Sequence, residues 1–586
     1  MASKASHHSD HSHHSDRSDH SHGSVHSHGS HRSHVFRSAY PDIAPVELPI
    51  HEAVLGRAAE YGDRPALIDA LTGATLDYAR LDHLSRRLAA ALAASGLRKG
   101  DVLALHSPNS VLFPVVCYAV SRCGAAVTTV HPLATEAEFA RQLTDSGASR
   151  IVTVAALLDT ARGAARQAGG IADILLCDRA EGHRSDRSDR SDRSVFELLD
   201  DDQPDPEPEI TPATDLAALP YSSGTTGTPK GVMLTHRNIA TNLAQLAPVM
   251  ANGPGDRILA VLPFFHIYGF TALMNAPLRN GATVVVLPRF DLRQFLTAIE
   301  QHRITEVYTA PPIVLALAKH PMVTEFDLSS LRRVLCAAAP LDAELAATCA
   351  RRLGLPTVLQ AYGMTELSPA THVVPPDAAH RPPGHHRATP APRAEGTLPP
   401  PGAVGTLLPS TELRIVSLET GQDLGPGESG EIVIRGPQVM RGYLGRPAET
   451  DAMIDPDGWL HTGDIGRTDG DGWLYVVDRV KELIKYKGYQ VAPADLEALL
   501  LAHEAIADAA VIGVTDQDGN EVPKAFVVRR QGAELTADEV IAYVAERVAP
   551  YKKVRRVEFL DSVPRATTGK ILRRELRARE RNSTAR

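Results

Sequence analysis

The stretch Tyr221-Ser-Ser-Gly-Thr-Thr-Gly-Thr-Pro-Lys-Gly231 gathers hydrogen-bond donors around glycines: two glycines stand in a run of five hydroxyl residues that ends in Lys230. Backbone N–H groups, hydroxyls and a lysine can together wrap a polyphosphate, so Ser222, Ser223, Gly224, Thr225, Thr226 and Lys230 are candidate nucleotide-phosphate residues. The loop is not a Walker A sequence. Counted from Gly224, that template needs glycine where Pro229 stands and Ser or Thr where Gly231 stands. A plain Ser/Gly/Thr linker would share the composition. This loop, however, lies between the apolar run LAALP and the helical pattern THRNIATNLAQL.

Other residues are ambiguous in isolation. A lone TGD at 462–464 would make Asp464 a turn former, and three lysines within 481–487 would be a solvated face. Eleven of the 26 histidines fall between His7 and His34, in a Ser/His/Asp repeat. Neutral imidazoles chelate Zn or Ni, so the repeat reads as a metal-binding tail or as a tolerated repeat expansion.

The elements that must position such groups alternate. From Arg257, ILAVLPF reads as a strand and ATVVVLP at 282–288 as another. Asp291 is then an N-cap, with Leu292, Phe295, Leu296 and Ile299 on one helical face. A strand at 305–309, a helix through 315–318, the strand RRVLCAA and the helix DAELAATCARRLG follow. This alternation predicts an α/β fold: a large N-terminal domain of layered, largely parallel sheets with helices. After about Asp478, short strands (DAAVIGV, KAFVVRR) and helices (ADLEALLLAH, ADEVIAYVAERV) predict a small α+β C-terminal domain joined by a hinge. The expected boundaries are a disordered tail over 1–38, a first domain over 45–477 with insert loops at about 183–194 and 375–401, and a mobile second domain over 481–580. The Pro-rich 375–401 loop can be neither helix nor central strand.

Composition bounds the function. At 586 residues the chain exceeds one ordinary domain, and its net charge of −9 lacks the basic footprint of a nucleic-acid binder. The five cysteines include no CxxC pair and read as reduced, mostly buried thiols. The apolar stretch 111–130 is broken by Arg122, so no membrane span is expected, and no Lys/Arg-then-apolar leader is seen. A cytoplasmic protein is the expectation.

The loop YSSGTTGTPKGVMLTHRN resembles the phosphate loop of the acyl-adenylate-forming superfamily, and five further segments agree with it in order: LPFFHIYG (262–269), QAYGMTE (360–366), TGD (462–464), DRVKELIKYKGYQV (478–491) and PRATTGKILRREL (564–576). Together they span most of the chain from about residue 45. LPFFHIYGF, PRF at 288–290 and KELIKYKGYQV are most similar to 4-coumarate–CoA ligases and their bacterial relatives.

The resemblance implies an ATP-dependent, AMP-forming ligase with ATP, coenzyme A and a small carboxylic acid as substrates and Mg2+ as cofactor. A carboxylate and ATP give an acyl-adenylate and pyrophosphate, and a thiol then displaces AMP. By the same resemblance Lys570 bridges the carboxylate and the α-phosphate, and Glu366 ligates Mg2+. Thr365 contacts the α-phosphate, Asp464 accepts the ribose hydroxyls with Arg479 in support, and Gln360 and Lys481 complete the nucleotide set. The small domain turns about a hinge at Asp478 to Lys481, withdrawing Lys570 and presenting Lys485, Lys487, Gly488 and Gln490 for the second step. His266 gates the CoA tunnel, and Arg289 stands where plant relatives usually carry lysine, a contact for the CoA phosphates.

Tyr268, Ala338, Ala361, Gly363 and Pro369 are the implied acyl pocket. Tyrosine with small residues suits a flat aromatic acid. Plant members of the family usually have glycine at the positions of Ala361 and Ala337; each added methyl narrows the slot and favours unsubstituted cinnamate over 4-hydroxylated acids. Alternatives stay open: a medium-chain fatty acyl-CoA ligase, an acyl-AMP ligase serving a carrier-protein thiol, or a metal-sequestering tail on an incidental ligase domain. A monomer or weak homodimer is expected.

Overall fold

A computed structural model describes residues 34–178, 194–199, 203–222, 229–250, 252–375, 398–486, 489–516, 521–566 and 569–584. Of the inserts, 183–193 and 376–397 lie outside these, as does the histidine tract through residue 33.

Two parallel-rich sheets carry the large domain. In one, the strands Leu359–Gly363, Arg333–Cys336, Glu306–Thr309, Arg257–Ala260, Thr283–Val286 and Pro65–Asp69 run parallel in that spatial order. Antiparallel strands close its edges. In the other, Leu216–Ala218, Ala126–Val130, Val102–His106, Ala148–Thr153 and Asp173–Leu176 are parallel neighbours, and Lys230–Thr235 adds antiparallel. Strands such as TVVV, RVLC and AVTTV are buried throughout, because helices cover both faces of a parallel sheet. A third, antiparallel sheet orders Phe36–Arg37, Glu412–Val416, Gly430–Arg435, Leu460–Thr468 and Leu474–Arg479.

The local signals read from sequence act as expected. Asp291 accepts a hydrogen bond from Gln294 N at 2.9 Å and caps the helix Leu292–Gln301, which buries Phe295, Leu296 and Ile299. Asp342 caps Ala343–Leu353 in the same way. The apolar stretch from 111 becomes the buried helix Leu112–Arg122 and the strand Ala126–Val130, and among the described residues no helix is long and apolar enough to cross a membrane. All five cysteines are free and buried.

One boundary differs from expectation. The tail taken as disordered through residue 38 joins the third sheet at Phe36–Arg37, where Phe36 pairs with Leu413 and Arg37 forms an ion pair with Glu412 at 2.7 Å. Phe36 packs on the apolar cluster around Leu413, and Ser38 Oγ donates to Leu407 O, so these residues are held by packing and hydrogen bonding.

Beyond Arg479 a separate apolar cluster forms around Ile484, Leu496, Val511, Val527 and Val540. Its strands Ile506–Thr515, Glu521–Arg529 and Arg556–Phe559 form one sheet, flanked by the helices Pro493–Leu501 and Ala537–Ala545. The turn bearing Gly569 meets the large domain: a Cβ built on Gly569 would lie 2.7 Å from Pro312 Cδ, at the start of the helix Pro311–Lys319.

Candidate active site

The stems of the phosphate-type loop are paired, Lys230 opposite Ser222 and Gly231 opposite Tyr221. Ser223, Gly224, Thr225 and Thr226 lie outside the described residues. Ser222 Oγ donates to Glu366 Oε1 at 2.9 Å, and Tyr443 OH donates to the same oxygen at 2.8 Å. Glu366 is therefore a buried, oriented carboxylate at the loop mouth. Thr365 opens the one-turn 3-10 helix Thr365–Leu367 beside it. Lys230 is buried, forms an ion pair with Glu449 and stands 4.7 Å over the Tyr443 ring.

Opposite, the antiparallel register of Leu460–Thr468 and Leu474–Arg479 sets Asp464 across from Arg479. Arg479 Nε lies 3.0 Å from Asp464 Oδ1, and Tyr362 OH donates to Oδ2 at 2.8 Å. Gln360, buried on the strand that leads to Tyr362, continues the wall. Lys570 comes to this cluster from the small domain. Burial, with the Arg479 charge beside it and only partly offset by Asp464, lowers its ammonium to about 8. Partial desolvation also lowers Lys481, which stays exposed, and the Arg479 charge adds to the effect. At the junction Asp478 accepts from Arg479 N at 2.7 Å and Ala494 N at 3.0 Å; burial raises its carboxyl.

His266 faces a cavity that it lines with Leu262, Pro263, Tyr268, Gly269 and Ala338. Burial, and then the positive charge of Lys570, pushes its imidazole down to about 4, and its Nδ1 accepts from Tyr268 N at 3.3 Å. Of the other expected acyl-side residues, Ala361 pairs with Val373, and Gly363 meets the backbone after Pro369 so closely that a Cβ there would lie 1.9 Å from Pro369 O. Among the described residues Tyr268 OH is buried without a hydrogen-bond partner, an orphan donor that a bound molecule could satisfy. Ala338 takes φ +74°, which turns the chain at the cavity rim.

The residues expected for the second step are not gathered here. Lys485 is exposed, in cross-strand register with Gln490, and its backbone N–H donates to Glu521 within the small domain. Lys487 and Gly488 lie outside the described residues, as does the Gln490 side chain. Arg289 is exposed beyond the strand Thr283–Val286, and it does not line the cavity. Sequence reading missed Tyr362, Tyr443 and Glu449. The segment GYLGRPAET at 442–450 holds the last two, yet its meaning depends on contacts to residues 77 positions away and more. Among the described residues no group of three or more His, Cys, Asp or Glu could hold a metal ion. The buried Glu366 carboxylate is of the hard-oxygen type that suits Mg2+, which is commonly held by one carboxylate together with substrate phosphates.

The model of the AMP-binding enzymes matches residues 55–444, and that of the AMP-binding enzyme C-terminal domain matches 495–570. The chain belongs to this family, in its 4-coumarate–CoA ligase branch. It is 43% identical to 4-coumarate–CoA ligase 5 of Oryza sativa subsp. japonica over 93% of this chain and 97% of that one. With 4-coumarate–CoA ligase 4 of Arabidopsis thaliana it shares 42%, over 93% and 94%. Among solved structures, ATP-bound MatB of Rhodopseudomonas palustris superposes with TM-score 0.77 at 28% identity, over 91% of this chain and 99% of that one. The o-succinylbenzoate CoA synthetase of Bacillus subtilis, in complex with its acyl-adenylate intermediate, gives 0.73 at 30%, over 91% and 98%. The protein is an acid–thiol ligase of the adenylate-forming type.

Proposed function

We propose that this enzyme joins a cinnamate-type aromatic acid to coenzyme A, with ATP converted to AMP and pyrophosphate. The observation that carries the reading is the convergence of Lys570, Asp464 and Arg479 from two domains beside the cavity of His266 and Tyr268.

In the first step a carboxylate oxygen attacks the α-phosphorus while the bond to the pyrophosphate bridging oxygen breaks. Both partners are anionic, so a preorganised cation between them lowers the barrier, and Lys570 supplies it. Asp464 keeps a lone pair on each oxygen beyond those used by Tyr362 and Arg479, enough for two ribose hydroxyls. The hydroxyl and amide donors of the 222–230 loop, with Lys230, hold the leaving phosphates. Thr365 and Gln360 flank the nucleotide, and Lys481 supports it. Mg2+ held by Glu366 and the phosphates would offset their charge. In the second step the CoA sulfur attacks the acyl carbon, the C–O bond to AMP breaks, and the thiol proton leaves to solvent. A turn of the small domain about Asp478 brings Lys485, Lys487, Gly488 and Gln490 to this step, with Arg289 on the CoA phosphates and His266 opening the way.

Tyr268 and Ala338 line the cavity beside His266, and together with Ala361, Gly363 and Pro369, which the family resemblance adds to the acyl side, they suit a flat ring. Five buried free cysteines support a reducing, cytoplasmic compartment, and the reading takes the protein as a monomer or weak homodimer.

The test is pyrophosphate release across cinnamate, 4-coumarate, benzoate and octanoate, with and without CoA, beside Lys570→Ala. Turnover that needs a cinnamate-type acid and CoA, and is lost in the variant, is expected. Preference for octanoate would support a fatty acyl-CoA ligase. Equal pyrophosphate without CoA would support delivery to another thiol.

A further inference from the structure

The loop Pro263–His266 hangs from the sheet built around Arg257–Ala260, yet side chains of the other parallel sheet hold it. Asn109, buried just beyond the strand Val102–His106, accepts from Phe264 N at 2.7 Å through Oδ1. Its Nδ2 donates to Leu262 O at 3.0 Å, and to Ala260 O and Leu287 O, each at 3.4 Å. Thr129, near the end of the neighbouring strand Ala126–Val130, donates through Oγ1 to Phe265 O at 2.6 Å. The His131 ring, two residues on, packs on the Phe265 ring with centroids 4.6 Å apart. Gln142 Nε2 in turn donates to Thr129 O at 3.0 Å. On the far side Gly269 allows the helix start to close on Pro263 O, where a Cβ would lie 2.0 Å away.

Backbone groups of two consecutive residues, Phe264 N and Phe265 O, are thus tied across the seam between the sheets, immediately before His266. The Asn109 amide also binds Leu287 O, at the stem of the segment that carries Arg289. One side chain therefore sets the spacing between the loop that presents His266 and the loop that presents Arg289. Neither Asn109 nor Thr129 reaches the Asp464–Lys570 cluster through any hydrogen bond or ion pair among the described residues.

We infer that Asn109 and Thr129 are positioning residues for the acyl-transfer half-reaction: by fixing Phe264 and Phe265 across the sheet seam they hold His266 where the entering thiol must pass. This rests on the ligase reading above, in which His266 lies on the thiol path. Removing the Thr129 hydroxyl while keeping its shape leaves Phe265 O without its donor, so the loop shifts to find another. A displacement of the order of 1 Å at a reacting centre costs up to about a hundredfold in rate.

The experiment separates the half-reactions in Thr129→Val, Thr129→Ser and Asn109→Ala. Adenylation is read as acid-dependent ATP–pyrophosphate exchange, and acyl transfer as single-turnover thioester formation when CoA is added to the enzyme-bound adenylate. For Thr129→Val, acyl transfer should slow about tenfold or the KM for CoA rise by as much, while exchange stays within about threefold. Thr129→Ser, which keeps the hydroxyl, should restore transfer to within about threefold of the parent. Asn109→Ala should show the same split, more strongly. Equal loss in both half-reactions would mean that the two residues serve stability alone and would overturn the inference, as would an unchanged CoA step in Thr129→Val. Should Asn109→Ala fail to fold, the Val and Ser pair at Thr129 decides. Parent enzyme that forms the adenylate but no CoA thioester would sink the ligase reading itself, a result distinct from any behaviour of the variants.

Discussion

Gly569 is where the closed arrangement can be perturbed without touching a reacting group. Its φ is +84°, and a Cβ would lie 2.7 Å from Pro312 Cδ and 3.0 Å from Pro312 Cγ, with Ala310 Cβ at 3.6 Å. Carbon atoms at rest stand about 3.5–4.0 Å apart, so Gly569→Ala forces the turn off Pro312 or distorts it. Two costs arise. The left-handed backbone costs alanine about 1–2 kcal/mol wherever the small domain sits. The clash acts only when the turn is docked, and an overpacked contact of this kind costs about 1–3 kcal/mol. At 1.36 kcal/mol per tenfold, the docked-state cost predicts a fall in adenylation of about 5- to 150-fold, with acyl transfer from a preformed adenylate much less affected. The assay is ATP–pyrophosphate exchange beside single-turnover thioester formation. Pro312→Ala removes the ring atoms involved, and in the Gly569→Ala background it should recover most of that fall in exchange, as a double-mutant cycle requires of a direct contact. If both half-reactions fall equally, or if Pro312→Ala recovers nothing, the docked turn does not govern Lys570 and the reasoning fails.

Three further outcomes are expected. Because burial brings the Lys570 ammonium down to about 8, its charge is present below that pH and lost above it, so kcat/KM for ATP should fall along an alkaline limb beginning near 8; a flat profile to pH 9.5 would refute this. Tyr268→Phe deletes a buried hydroxyl that has no partner among the described residues, so thermal denaturation should show a Tm unchanged or raised, by up to about 1 kcal/mol in stability, whereas a drop of several degrees would mean that the hydroxyl is paired. Cinnamate should exceed caffeate in kcat/KM by about 10- to 100-fold, the discrimination that a small change of pocket volume gives, and equal values would reject the narrowed slot.

Asp291 caps its helix as the sequence implies, and the runs TVVV and RVLC are buried strands, because capping and apolar periodicity are settled within a few residues. The ordered motifs likewise declare the family. Partnership between distant groups is another matter. Asp464 faces Arg479 only because two strands pair in one antiparallel register, and a slip by one residue would turn both away. Glu366 is aimed by Ser222, 144 residues before it, and by Tyr443, 77 residues after it. Phe264 is held by Asn109, 155 residues earlier, an asparagine that nothing in its own neighbourhood distinguishes. Which residue types are present, how they are spaced and which short segments become helix or strand were therefore written in the sequence, since local backbone and side-chain preferences decide them. The nearness of Lys570 to the charges of Arg479 and Asp464, the grip on the His266 loop and, among the described residues, the unpartnered hydroxyl of Tyr268 came only from tertiary structure, where packing brings together groups with no local reason to meet.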